Sequence, residues 1–165
     1  KGKNIFTYFL IRRIDYVKQA KKNNMIFVKP NPDPINQNLL TGKISDHQPY
    51  IFKLCHFCQA IDKDKQLDFA VEVSHKIWSG FKNWNSDESI SESSLKVGLN
   101  FAQIEEKRIA NEENLINEIK INQKEQLEAD HHGVPLSVYK DKFFFGQDRF
   151  DDLVEMLKKD GLNYP

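Results

Sequence analysis

The stretch His132-Gly133-Val134-Pro135-Leu136-Ser137-Val138-Tyr139-Lys140-Asp141-Lys142-Phe143-Phe144-Phe145-Gly146-Gln147-Asp148-Arg149, running on to Gly161, decides how the chain is read. Gly-Val-Pro marks a turn or strand entry. Leu136–Tyr139 is rich in residues that suit a pleated surface, Lys140-Asp141-Lys142 reads as a tight turn, and Phe143-Phe144-Phe145 as the partner strand. Gly146-Gln147-Asp148 then breaks the strand and opens a helix. Phe150, Leu153, Val154 and Leu157 are expected to face inward along it, and Gly161 closes it.

Upstream the pattern is helical. Phe6, Leu10, Ile14 and Val17 predict an amphipathic helix over 3–23, ended by Asn23-Asn24. Met25–Val28 is a short apolar run that meets Pro30, Pro32 and Pro34, which favour extended backbone. Asn36–Thr41 is expected to start another helix, with a polar loop over Gly42–Pro49. Tyr50–Leu67 and Leu67–Trp78 read as two further helices, the second with Phe69, Val73 and Ile77 on one face. Asn83–Ser94 reads as a turn region rich in helix N-cap candidates. Glu112–Ala129 places Leu115, Ile116, Ile119 and Leu127 at helical spacing beside a solvated face of Glu and Lys.

Composition narrows the possible functions. The 165 residues suit one domain with a real core, and 39% of them are hydrophobic. Lys+Arg and Asp+Glu stand at 24 each, so no basic surplus argues for nucleic acid or an anionic membrane. No apolar run approaches the ~18 residues of a membrane span. Two cysteines are too few for a disulfide scaffold. A cytoplasmic location is expected.

The order turn, Val-Pro, hairpin, Gly-Gln-Asp-Arg, helix is that of the C-terminal half of a thioredoxin fold. Here the chain resembles the 2-hydroxychromene-2-carboxylate isomerase and kappa-class glutathione transferase group, of the DsbA-like thioredoxin-fold family. That group carries a Gly-Val/Leu-Pro turn followed by Phe-(Trp/Phe)-Gly-(Gln/Asn/Ser)-Asp-Arg, matched by Gly133-Val134-Pro135 and Phe144-Phe145-Gly146-Gln147-Asp148-Arg149. The helix at 3–23, the proline-rich turn with Asn36, and the Lys76–Asp87 stretch sit where the group has its helical insertion. The resemblance implies an α/β, thioredoxin-like fold with residues 1–130 as a large helical insertion domain and 131–165 as the C-terminal hairpin and helix. The group's N-terminal strand-helix-strand unit matches nothing here. Because the chain opens on Lys1-Gly2-Lys3, that unit, with its catalytic Ser or Cys, is expected upstream of Lys1.

The function implied is glutathione-dependent isomerase or transferase chemistry on a small organic substrate, with glutathione as cosubstrate and a homodimer allowed. The alternatives are a DsbA-like thiol-disulfide oxidoreductase and a non-catalytic fragment. The resemblance makes Pro135 a cis proline, with Val134 offering its backbone N–H and C=O to a cysteinyl group as an added strand would; an ordinary X-Pro turn is the plainer alternative. Gln147 and Asp148 open the last helix, where unpaired N–H groups and the dipole favour a carboxylate. The Asp148 carboxylate can take the γ-glutamyl ammonium. Asp148 as a simple N-cap and Arg149 as a surface ion pair fit the same residues. Asn36 resembles an asparagine that helps hold the substrate in the group.

Cys55-His56-Phe57-Cys58 is a second constellation. A redox C-x-x-C needs its first thiol at a helix N-terminus, which lowers its pKa. Placed inside the helical insertion, the same cysteines would be buried packing residues. With His47, His56, His75 or His131-His132 they have ligand types that suit zinc, but no clean second pair completes a site, and no metal is expected. His131-His132 otherwise reads as a polar loop. The Phe143–Phe145 run lacks the basic groove of a nucleic-acid stacking platform.

Overall fold

In a computed structural model of the chain, residues 5–38, 41–129, 131 and 133–162 are described, with side chains in the first helix from Ile14 onward. Among the described residues, seven α-helices precede or flank one hairpin: α1 (Ile5–Lys22), α2 (Ile51–Ala60), α3 (Lys63–Trp78), α4 (Asp87–Lys96), α5 (Phe101–Ala110), α6 (Glu112–Glu128), β1 (Leu136–Tyr139), β2 (Lys142–Phe145) and α7 (Phe150–Lys159). Internal packing divides the chain into Lys1–Leu115 and Ile116–Pro165. The division falls inside α6, whereas the sequence suggested a boundary between 130 and 131. The Gln126 side chain of α6 reaches the turn that precedes β1.

The first unit is built on α2 to α5. Phe69, Val73, Lys76 and Ile77 recur at helical spacing and form the buried face of α3. Phe69, Val73 and Ile77 share one core with Phe57 of α2, Ile90 of α4, Ile104 of α5 and Trp84, which is 1% exposed. The Trp84 indole N–H donates to the Pro32 carbonyl at 2.9 Å, and Tyr50 packs edge-on against its ring. One buried aromatic thus joins the helical core to the proline-rich segment. Phe27 adds a second tie, stacking on Trp78 while Val28 N–H donates to the Trp78 carbonyl.

Several expectations are corrected here. Asn36–Thr41 does not begin a helix. Gln37 bridges Ile44 in antiparallel fashion, and the Asn38 side-chain oxygen accepts from Thr41 N–H, so the polar residues turn the chain locally; Leu39 and Leu40 lie outside the described residues. The helix read from Tyr50 to Leu67 breaks at Ile61-Asp62, both extended. No proline or glycine marks that break. The Gln66 amide donates to the Ile61 carbonyl that the break leaves open. The Ser-rich region past Ser86 is helix. Ser86 caps α4 by accepting from Ser89 N–H, and Ser93 and Ser94 return their hydroxyls to the carbonyls four residues back.

In the second unit the expected hairpin forms with Leu136 opposite Phe145, Ser137 opposite Phe144, Val138 opposite Phe143 and Tyr139 opposite Lys142, so Lys142, read from the sequence as part of the turn, is the first residue of β2. Lys140 and Asp141 both take positive φ, the geometry of a two-residue turn that matches strand twist. Phe144 is 6% exposed, and its strand packs against α7, whose Leu153, Val154, Met156 and Leu157 are half-buried. Phe150, expected to face inward, is exposed instead, because the helix opens differently from its sequence reading. Gly146 at φ 75° leads into one turn of 3-10 helix, Gln147–Arg149, before α7 proper. Gly161 ends α7 as expected. At φ 81° it lets Leu162 N–H reach the Leu157 carbonyl and its own N–H reach that of Lys158.

Candidate functional site

The turn ahead of β1 is held from three directions. Gly133 N–H donates to Nδ1 of His131 at 2.9 Å, and the Gln126 side-chain amide donates to the Gly133 carbonyl at 2.9 Å. Beyond the proline, Gly146 N–H donates to the Pro135 carbonyl at 2.9 Å, extending the ladder by one step past the Leu136–Phe145 pair. Between these bonds Val134 is 78% exposed, and its N–H and C=O have no partner among the described residues. The Val134–Pro135 peptide is cis, as is Asn31–Pro32. His131 lies on the Phe145 ring with centroids 3.9 Å apart. His132 is outside the described residues.

The Gly146–Pro135 hydrogen bond puts Gln147 one residue beyond one of its ends and Val134 one residue before the other. Gln147 and Asp148 are exposed, in the 3-10 turn rather than in α7 itself, and their N–H groups are unpaired among the described residues. Asp148 makes no side-chain capping bond, so the plain N-cap role is absent. Arg149 pairs with Asp152 at 2.7 Å, the surface ion pair weighed from the sequence.

Asn36 belongs to the other unit and to a different construction. Its backbone N–H donates to the Gln48 side-chain oxygen, and its side-chain amide donates to the His47 carbonyl. Gln48, buried, returns its own amide to the carbonyls of Asn36 and Ser45. These bonds make Asn36 a brace of the 36–48 loop.

Cys55 and Cys58 are unlinked, half-buried and helical. Cys55 falls in the second turn of α2, beyond the free N–H groups of the helix start, so no dipole end faces its sulfur. Burial pushes both thiols above the ordinary thiol value, and for Cys58 the neighbouring Cys55 adds to the push. The Cys58 thiol points to the Gln66 carbonyl at 3.8 Å. Both are therefore protonated at neutral pH and poor nucleophiles. In the native protein they are expected to react with an aromatic disulfide reagent at neutral pH more slowly than free cysteine, with full reactivity after denaturation; a native rate above that of free cysteine would restore the redox reading. The same raised values predict a fold that loses stability as pH climbs past the ordinary thiol value, where unfolded thiols ionise first.

Among the described residues, no three His, Cys, Asp or Glu side chains gather as a metal set, and no helix is long and apolar enough to cross a membrane. Of the residues named from the sequence, Val134, Pro135, Gln147 and Asp148 lie in two segments that the Gly146–Pro135 hydrogen bond joins. Gln126, whose bond joins a helix to a loop, has no local sequence pattern to betray it, and His131 was expected only as a polar loop residue.

The DSBA-like thioredoxin domain family matches residues 50–158, about two-thirds of the chain, and the chain belongs to that family. Its fold is thioredoxin-like α/β, mainly helical, with a two-stranded sheet and a helical insertion. Membership points to thiol-dependent chemistry of the oxidoreductase, isomerase or transferase kind. No curated protein and no solved structure matches the chain. Asn36 lies outside the matched segment, whereas the Val134 turn and Asp148 lie within it.

Proposed function

We propose that this protein is a glutathione-dependent isomerase or transferase acting on a small organic substrate, of the 2-hydroxychromene-2-carboxylate isomerase and kappa-class transferase type. The observation that supports it best is the unpaired backbone of Val134, tied by one hydrogen bond to the segment where the N–H groups of Gln147 and Asp148 are also free. Glutathione has the groups these positions lack. Its cysteinyl unit would pair with Val134 N–H and C=O as an added strand. Its γ-glutamyl carboxylate would take the Gln147 and Asp148 N–H donors, and its ammonium the Asp148 carboxylate. A Ser or Cys that stabilises the thiolate matches no residue of this chain. The reading places the protein in the cytoplasm, where the glutathione pool is kept reducing. The family match favours a second reading, thiol-disulfide exchange, through a cysteine other than Cys55 or Cys58, whose thiols are raised.

Asp148→Asn in the full-length protein is expected to weaken glutathione by about tenfold, the effect of one charge-assisted hydrogen bond. The fold should be untouched, because Asp148 makes no capping bond to lose. Calorimetric titration decides. Equal affinities would remove Asp148 from the site, and a wild type that binds no glutathione would discard the reading.

A further inference from the structure

We infer that Gln126 and His131 are positioning residues of the thiol-binding turn: together they hold both polar groups of Gly133, so that Val134 presents its free backbone in a fixed direction. The inference rests on the reading of Val134 as the ligand-pairing residue. Gly133 N–H is taken by His131 Nδ1 and its carbonyl by the Gln126 amide. The next carbonyl after Val134, that of Pro135, is taken by Gly146 N–H. Every backbone group flanking Val134 that can bond is thus bound internally, and those of Val134 are not. A ligand pairing there finds its edge already ordered and is spared the entropy of ordering it.

The two side chains act by different chemistry. His131 accepts through Nδ1, which requires the neutral ring with its proton on Nε2. Its ring is kept in place by Phe145, the residue paired across the ladder with Leu136. Gln126 donates from α6, so the turn is anchored to a helix as well as to the hairpin. Neither side chain need touch the ligand.

The test uses the full-length protein with glutathione as probe. His131→Ala and Gln126→Met, which keeps length but removes the donor, are each expected to weaken glutathione about three- to tenfold, with the melting temperature of the wild type retained. His131→Asn is expected to recover affinity to within about twofold, because its side-chain oxygen can accept where Nδ1 did. Wild-type affinity in both loss variants would overturn the inference, and so would an asparagine variant as weak as the alanine one, which would assign the effect to ring packing alone. Amide exchange of Gly133 separates this from the glutathione reading. Slow exchange in the wild type and fast exchange in His131→Ala confirm the brace even if glutathione fails to bind; equally fast exchange in both removes it.

Discussion

Trp84→Ala is expected to cost about 3–5 kcal/mol, the loss for a large aromatic truncated in a core that cannot close over the gap. The side chain is 1% exposed, packs with Phe57, Phe69 and Ile90 in one cluster, and meets Tyr50 edge-on. The same change leaves the Pro32 carbonyl without its indole donor. Urea denaturation followed by circular dichroism should show the midpoint moved down by more than 1 M at a slope of roughly 1–3 kcal/mol per M. Trp84→Phe separates the two contributions: it keeps most of the ring and loses the N–H, so it should cost about 1–3 kcal/mol. A midpoint for Trp84→Ala within experimental error of the wild type would show that this residue is not the centre of the helical unit.

Gly133→Ala is the second large effect. Gly133 is not at positive φ, so its need is for space. A Cβ there would overlap the edge of the Phe145 ring and sit 2.9 Å from Cε1 of His131. Overpacking of this kind costs about 1–3 kcal/mol. Here it must also displace a turn held by two Gly133 bonds, so on the proposed reading glutathione affinity should fall further than in Asp148→Asn. The double variant Gly133→Ala/Phe145→Ala tests the cause. Removing the ring makes room, so the two losses should fall short of additive. Strict additivity would mean the two positions do not compete for the same volume.

The hairpin and the last helix were legible because their signals are local: a four-residue strand, a two-residue reversal, three phenylalanines, and a glycine on either side of the closing helical segment. Helix identity failed where composition misled. The serines of α4 look like loop until their hydroxyls are seen to bond the carbonyls four residues back, which makes them tolerable inside a helix. The break at Ile61-Asp62 had no breaker residue, since it is held by Gln66 reaching back from the next helix. The site divided in the same way. Val134 and Asp148 sit within contiguous motifs, so they could be named from the sequence. Gln126 acts across seven residues and a change of element, which no local pattern shows, and Asn36 bonds Gln48 and His47, twelve and eleven residues away. The cysteine pair has the spacing of a redox motif without the helix start that gives the motif its chemistry.

Phe144 is shielded on one side of a ribbon of two short strands, and its strand packs on α7. Two strands alone are marginal in water, and α7 has no fully buried residue of its own. Each is the condition for the other. Lys140, in the reversal, also pairs with Asp160 just past the end of α7 at 2.9 Å. Ribbon and helix are therefore expected to open and close together as one local unit. Because Gly146, the residue that joins them, also bonds the Pro135 carbonyl, any such opening lets go of the Val134 edge in the same event. On the proposed reading, a ligand on that edge would therefore hold the whole segment shut by mass action.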